Sequence, residues 1–135
     1  MFDTAPIRTA IQEVEAGWID YNGHMNEAPY LEVAARASDR FMEVIGADAA
    51  YIAGGLSYFT AETHIRHLDE VHAGAVIRIE TQVLLGEGKK MHLFHRMFAG
   101  DRELATGEHM LIHVSLETRR ACEPSAKVAA LLEKV

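Results

Sequence analysis

At 135 residues, with 49% hydrophobic residues and no apolar run long enough to span a bilayer, the chain is sized for one domain around a single core, free of membrane. A formal net charge of −7, from 13 Lys and Arg against 20 Asp and Glu, argues against nucleic acid as a partner, because phosphate binding needs clustered cations. The lone Cys122 cannot close an internal disulfide and the N-terminus lacks the basic and apolar parts of a secretory signal, so a cytoplasmic protein is expected.

After Pro6, a weakly patterned segment from Thr9 to Ala16 is the candidate first strand. It leads into Trp18-Ile-Asp-Tyr-Asn-Gly-His-Met-Asn26, which places Asp20, two carboxamides and a histidine within seven residues, at the mouth of a helix whose first N–H groups point toward them. The helix is read from Glu27 to Ile45. Leu31, Ala34, Ala35, Ser38, Phe41, Met42 and Ile45 recur at three- and four-residue spacing, and Glu32, Arg36, Asp39, Arg40 and Glu43 fill the other side. Asn26 is the N-cap, Pro29 is tolerated in a first turn, and Gly46 can take the left-handed conformation that stops a helix.

Ala47 to Gly55 is small and glycine-rich and reads as a connection. From Leu56 to Leu68 the residues alternate, with Phe59, Ala61 and Ile65 on one face of a strand and Tyr58, Glu62, His64 and Arg66 on the other. Val76 to Leu85 sets Ile77, Ile79, Val83 and Leu85 against Arg78, Glu80 and Gln82. Gly86-Glu-Gly88 turns the chain into Lys90 to Ala99, where Met91, Leu93 and Met97 oppose Phe94 and Phe98, as in an interior strand. In Leu104 to Leu116, residues Leu104, Met110, Ile112, Val114 and Leu116 share a parity. Ser125 is placed to cap a terminal helix with Val128, Leu131, Leu132 and Val135 on one face. One long helix among strands joined by short turns predicts an α+β domain, an antiparallel sheet with the helix packed on it. Such a sheet leaves edges to cover, and pairing with another copy covers them, so a homodimer or homotetramer is expected.

Four separated segments carry a family resemblance. Trp18 to Met25 ahead of the helix, Glu62-Thr-His-Ile-Arg-His-Leu68, Lys90-Met-His-Leu-Phe-His95 and Ala105-Thr-Gly-Glu-His-Met-Leu-Ile-His113 resemble the hotdog-fold acyl-CoA thioesterases, and among them the betainyl-CoA thioesterases of carnitine degradation. The resemblance implies a single hotdog domain over residues 1–135, its sheet wrapped around one long helix. It further implies hydrolysis of a short-chain acyl-CoA, betainyl-CoA to betaine and CoA, with active sites between subunits and a catalytic acid at Asp20. No cofactor is implied beyond the coenzyme A of the substrate. The aspartate pair of the 4-hydroxybenzoyl-CoA type is not intact, since Trp18 stands where its first acid would be.

Thioester hydrolysis needs an attacking oxygen and donors where negative charge develops. Asp20 supplies a nucleophile or a general base, and the helix N-terminus supplies donors and favours the ionised carboxylate. Asn22 is a candidate to hold the attacking water or the carbonyl, and His24 to orient its neighbours or protonate the leaving thiolate. Candidate substrate contacts are Trp18, Asn26, Tyr58 and Glu62. Glu62 has two readings, a second acid of the kind the acyl-carrier-protein thioesterases imply, or a solvated strand glutamate pairing with Arg66. A trimethylammonium group donates no hydrogen bond, so Trp18, Tyr21, Tyr30, Tyr58 and Glu62 are suitable walls for it, with a core role as the alternative for Trp18 and Tyr58. Lys89, Lys90, Arg119 and Arg120 are candidates for the CoA phosphates, against a reading as ordinary surface charge.

The eight histidines raise a metal, but none is expected. On a strand, three-residue spacing sends side chains to opposite faces and four-residue spacing separates Cα atoms by roughly 13 Å. No Gly-x-Ser-x-Gly elbow occurs, and Cys122 lies far from the Asp20 motif. Two rivals remain open. A hotdog hydratase or dehydratase acting on acyl thioesters is disfavoured by the Asp-x-Asn-x-His pattern, and a non-catalytic acyl-CoA binding module is separable only by activity.

Overall fold

The computed structural model describes residues 6–135. The chain runs through β1 (Ile7–Glu13), a 3-10 turn (Ala16–Trp18), α1 (Glu27–Val44), α2 (Ala49–Ala53), β2 (Leu56–His67), β3 (Val76–Glu87), β4 (Lys90–Ala99), β5 (Arg102–Ser115) and α3 (Ala126–Leu132). The strands form one antiparallel sheet in the order β1-β3-β4-β5-β2, and α1 packs across β1, β3, β4 and β5. This is the hotdog arrangement that the resemblance implies. Among the described residues no helix is long and apolar enough to cross a membrane.

The local signals mark α1 at both ends. Asn26 Oδ1 accepts from the Glu27 N–H at 2.9 Å, and Gly46 adopts φ +86° beyond the last turn. The buried stripe, however, is rotated from the expected one. Tyr30, Val33, Ala34, Ala37, Ser38 and Phe41 are buried, whereas Ala35 is exposed and Leu31 is 47% exposed. Alanines on neighbouring faces leave the helical pattern degenerate, and packing selects between them. Gly107 on β5 lets the helix come close at Ala34, where an added Cβ would stand 3.3 Å from the Ala34 Cβ.

Three further expectations are corrected. β1 begins at Ile7 instead of Thr9, because pairing with β3 from Ile7↔Thr81 to Glu13↔Val76 sets its length, and a bulge between Arg8 and Ala10 explains its weak alternation. The segment 47–55 is not only a connection: Asp48 accepts from the Tyr51 N–H at 3.1 Å and caps the short α2. On β5, Met110 and Ile112 lie on the outer face, while Leu111 is buried with His109 and His113 against the helix side. Register with β4, Met91↔Leu111 and Leu93↔His109, places these odd positions inward.

A bulge between Thr60 and Glu62 also inverts the parity of β2. Tyr58 pairs with inward His113 and is 5% exposed, whereas Glu62 pairs with outward Met110. The expected shared face of Tyr58 and Glu62 therefore does not exist. Interior β4 and the terminal α3 agree with the sequence reading; Ser125 accepts from the Val128 N–H at 3.2 Å, and Val128 and Leu132 are buried.

Two apolar clusters flank the length of α1. Tyr30, Val33, Ala34 and Ala37 meet Ile77, Ile79, Met97 and Leu104 near its start; Phe41 and Ile45 meet Val83, Leu93, Leu111 and Val128 near its end. Between them a polar layer crosses the core. Thr9 Oγ1 and Thr81 Oγ1 are 2.8 Å apart, Thr81 Oγ1 is 2.7 Å from His95 Nδ1, and Ser38 Oγ is 2.7 Å from both His95 Nε2 and His109 Nδ1. Burial in this layer pushes His95 down to about 3, helped by the neighbouring His109, and lowers His109 as well.

Candidate active site

Residues 18–26 form a tight hairpin. The Asn26 N–H donates to the Trp18 carbonyl at 2.8 Å, the Asp20 N–H donates to the His24 carbonyl at 3.0 Å, and the Gly23 N–H returns to the Asp20 carbonyl at 3.0 Å. Gly23 sits at φ +85°, a conformation a side chain would strain. The Asp20 carboxylate is fixed locally, because Oδ1 accepts from the Asn22 N–H at 2.8 Å. Asn22 thus acts on Asp20 through its backbone, and the other carboxylate oxygen is left to the cleft.

The hairpin opens on the start of α1. Of the first four donors at that end, Asn26 N–H is used by Trp18, Glu27 N–H by the Asn26 side chain, and Pro29 has none. Ala28 N–H is the donor left over among the described residues. A carboxylate oxygen and an unengaged N–H at a helix N-terminus are the two parts that thioester attack needs.

The opposite wall comes from the connection after β2. The Met25 N–H donates to the Val71 carbonyl at 2.8 Å, and His72 Nδ1 donates to the Gly23 carbonyl at 2.8 Å, so this connection is tied to the hairpin. Together they enclose a cleft of about 570 Å³ that Asp20, Asn22, His24 and Asn26 line, with Tyr21, Glu27, Tyr30, His67, Asp69 and Glu70 also in its wall. His24 Nε2 stands 3.9 Å from Glu70 Oε2. Burial, and then the Asp69 carboxylate, raise the Tyr30 hydroxyl above its ordinary value, while a hydrogen bond from Arg102 holds Asp69 below the usual carboxylate range. His67, Asp69 and Glu70 escaped the sequence reading because no local pattern links them to a hairpin more than forty residues away.

The remaining candidates lie elsewhere. Trp18 packs against the apolar cluster at the start of α1, with the Arg36 guanidinium carbon 5.8 Å from its ring centroid. Tyr58 is buried edge-on to His113 at 4.9 Å, near the far end of the helix. Glu62 lines a separate cleft of about 250 Å³ on the outer sheet face with His64, His92 and Glu108. Lys89, Lys90, Arg119 and Arg120 are exposed and gather where β5 ends: the His113 N–H donates to the Lys89 carbonyl at 2.8 Å and the Ser115 N–H to the Arg120 carbonyl at 2.9 Å. That end is about 33 Å of strand from the cleft, ten residues at 3.3 Å each.

The same-strand histidine geometry is as expected: His92 points outward and His95 inward, while His109 and His113 both point inward. Across strands the sheet makes other meetings. Glu108 Oε1 is 3.1 Å from His92 Nε2, and Oε2 is 3.5 Å from His64 Nδ1. Among the described residues no three His, Cys, Asp or Glu side chains converge in a metal-holding arrangement.

A sheet wrapped on one helix, with an acid-bearing hairpin at the helix mouth, defines a thioesterase-like domain. The model of the thioesterase-like superfamily matches residues 14–132, and the chain belongs to that superfamily. It is 64% identical over 132 residues to the L-carnitine dehydrogenase/betainyl-CoA thioesterase of Ruegeria pomeroyi, covering 98% of this chain and 27% of that protein. It is 40% identical over 119 residues to the betainyl-CoA thioesterase of Pseudomonas aeruginosa, covering 86% of this chain and 75% of that one. A Staphylococcus aureus protein solved in complex with CoA shares the fold with a TM-score of 0.90 at 22% identity, over 100% of this chain and 89% of that chain. The chain spans only about a quarter of the length of the two-activity relative from Ruegeria.

Proposed function

We propose that this chain is a cytoplasmic acyl-CoA thioesterase that hydrolyses betainyl-CoA to betaine and CoA in carnitine catabolism, with no cofactor beyond the coenzyme A of its substrate. The observation that carries the chemistry is the Asp20 carboxylate, fixed by the Asn22 N–H at 2.8 Å, in one cleft with the free end of α1. Similarity along most of both chains to a relative named for betainyl-CoA supports the acyl group.

In the hydrolytic step a water oxygen bonds to the thioester carbon as its proton passes to Asp20, and the carbonyl electrons move onto oxygen, where the Ala28 N–H stabilises them. Collapse re-forms the carbonyl and breaks the C–S bond; the proton held by Asp20 ends on the CoA sulfur, with His24 at the mouth as a relay. Direct attack by Asp20, giving an anhydride that water then opens, uses the same parts.

The enzyme works as a homodimer or larger assembly in this reading. β2 is a sheet edge of 12 residues of which only Tyr58 is buried, and among the described residues it has no neighbour on its outer side. Two-fold antiparallel pairing of this edge sets the His67 end of one protomer, where the cleft lies, beside the Leu56 end of its partner. The Leu116 N–H donates to the Gly55 carbonyl at 2.8 Å, so the partner's Arg119 and Arg120 arrive with that end. Such pairing brings a basic patch to the cleft from which a single protomer keeps it about 33 Å away.

Thiol release across a panel of betainyl-, 3,3-dimethylbutanoyl-, long-chain and aromatic acyl-CoA tests the proposal. Betainyl-CoA is expected to have the highest kcat/KM after correction for spontaneous hydrolysis, which its positive charge accelerates. A preference for a long-chain or aromatic group would remove the betaine assignment, and release from none would leave a binding module.

A further inference from the structure

The cleft is more acidic than hydrolysis requires. Asp20, Glu27, Asp69 and Glu70 line it, and no lysine or arginine does. Carboxylates gathered in one cleft repel each other and any anion, so the CoA phosphates have no place there and a positive acyl end is favoured. Arg102 offsets one of them, with Nη1 3.0 Å from Asp69 Oδ2 and a hydrogen bond of 2.6 Å to the Glu70 carbonyl. The Glu70 carboxylate is different. Its nearest bases are His72 Nε2 at 3.7 Å and His24 Nε2 at 3.9 Å, both beyond hydrogen-bond length, and no lysine or arginine pairs with it among the described residues. The same cleft holds an aromatic pair: Tyr30, 3% exposed, meets His67 edge-on with ring centroids 4.8 Å apart.

Resting on the betainyl-CoA reading, we propose that Glu70, together with the Tyr30 and His67 rings, selects a quaternary ammonium acyl group. A trimethylammonium offers no N–H, so it is held by aromatic faces and diffuse negative potential instead of by a directed hydrogen bond. In an N–CH2–C=O unit the nitrogen lies only about 2.5 Å from the carbonyl carbon. A cleft that presents the carbonyl to Asp20 must therefore present the cation to a wall of the same cleft. Glu70 meets this condition because its connection is pinned to the Asp20 hairpin by the Met25–Val71 and Gly23–His72 hydrogen bonds. The substrate's own charge also lies beside the carbonyl oxygen as that oxygen becomes negative, in a cleft that no lysine or arginine lines.

The test compares kcat/KM for betainyl-CoA and its neutral isostere 3,3-dimethylbutanoyl-CoA in the wild type, Glu70→Gln and Glu70→Asp. Glu70→Gln is expected to lower kcat/KM for betainyl-CoA about tenfold and to change the isostere by less than about threefold, with Glu70→Asp recovering part of the preference. Glu70 lies in an exposed connection, so the fold should survive the change. Equal losses on both substrates would show that Glu70 only positions the hairpin, and a cation preference that survives in Glu70→Gln would overturn the assignment while leaving the betaine reading in place. A wild type without any cation preference removes that reading and this inference with it.

Discussion

Asp20 is oriented entirely by short-range bonds within its own hairpin, so replacing one carboxylate oxygen by an amide nitrogen should leave the fold untouched. Asp20→Asn is expected to lower thiol release by about 10²- to 10⁴-fold while ligand binding persists. Release within a few-fold of wild type would take Asp20 out of the mechanism. Ser38 shows the opposite case, a residue far from the cleft on which stability depends. Its hydroxyl has a single hydrogen, so it donates to one of His95 and His109 and accepts from the other, and because the 2.7 Å contacts run through His95 Nε2 and His109 Nδ1 the two rings carry the same tautomer, both Nδ1–H or both Nε2–H. His109 Nε2 already has no partner among the described residues. Ser38→Ala would strand two further buried ring nitrogens and is expected to cost about 2–4 kcal/mol, measured as a lower urea midpoint at unchanged slope.

At the level of elements, the hotdog arrangement depends on how near α1 can come to the sheet. Gly107 is buried in β5 beneath Ala34, and its Cβ position is already 3.3 Å from that methyl. A helix held at both ends by caps and on both sides by apolar clusters cannot yield locally. Gly107→Val is therefore expected to destabilise by about 1–3 kcal/mol through overpacking, detectable in thermal melts, while the same change at Gly17, whose Cβ meets nothing within 4 Å, should be near neutral. The bulge in β2 has a different effect. By turning Glu62 outward it joins that carboxylate to His64, His92 and Glu108 and separates it from Asp20.

Across the whole molecule, three core histidines couple the fold to pH. Burial lowers His95, His109 and His113 below the ordinary 6.5, His95 to about 3. Above 6.5 these groups are neutral in folded and unfolded chains alike and contribute no pH dependence. As pH falls below 6.5 the unfolded chain takes up protons that the folded core refuses, so stability drops. His95 alone should remove about 2 kcal/mol between pH 7 and about pH 5, and urea melts at those two values read the loss directly. An unchanged midpoint would mean that the layer admits protons. The free edge of β2 leads to a second expectation at this scale, that sedimentation finds a dimer or larger species at assay concentration. A fully active monomer would refute the shared site.

Caps, turns and the kind of element depend on residues within about four positions of one another, and these features were legible in the sequence. The ends of α1, the Asp20-Asn22-His24 hairpin, interior β4 and the Ser125 cap all belong to this class. The class of fold was legible too, since one long helix among strands with short turns has few ways to bury its apolar face. What the tertiary structure alone decided was parity and partnership. One inserted residue in β2 exchanges inside for outside along the rest of the strand, which is how Tyr58 and Glu62 parted, and alternation around the insertion carries no mark of it. Asp69 and Glu70 reach Asp20 only because antiparallel pairing returns the end of β2 to the mouth of α1, and the same pairing carries Arg119 and Arg120 to the opposite end of the sheet. Such meetings are set by long-range hydrogen bonds such as Met25–Val71 and Gly23–His72, whose two ends lie nearly fifty residues apart and leave no periodic trace between them.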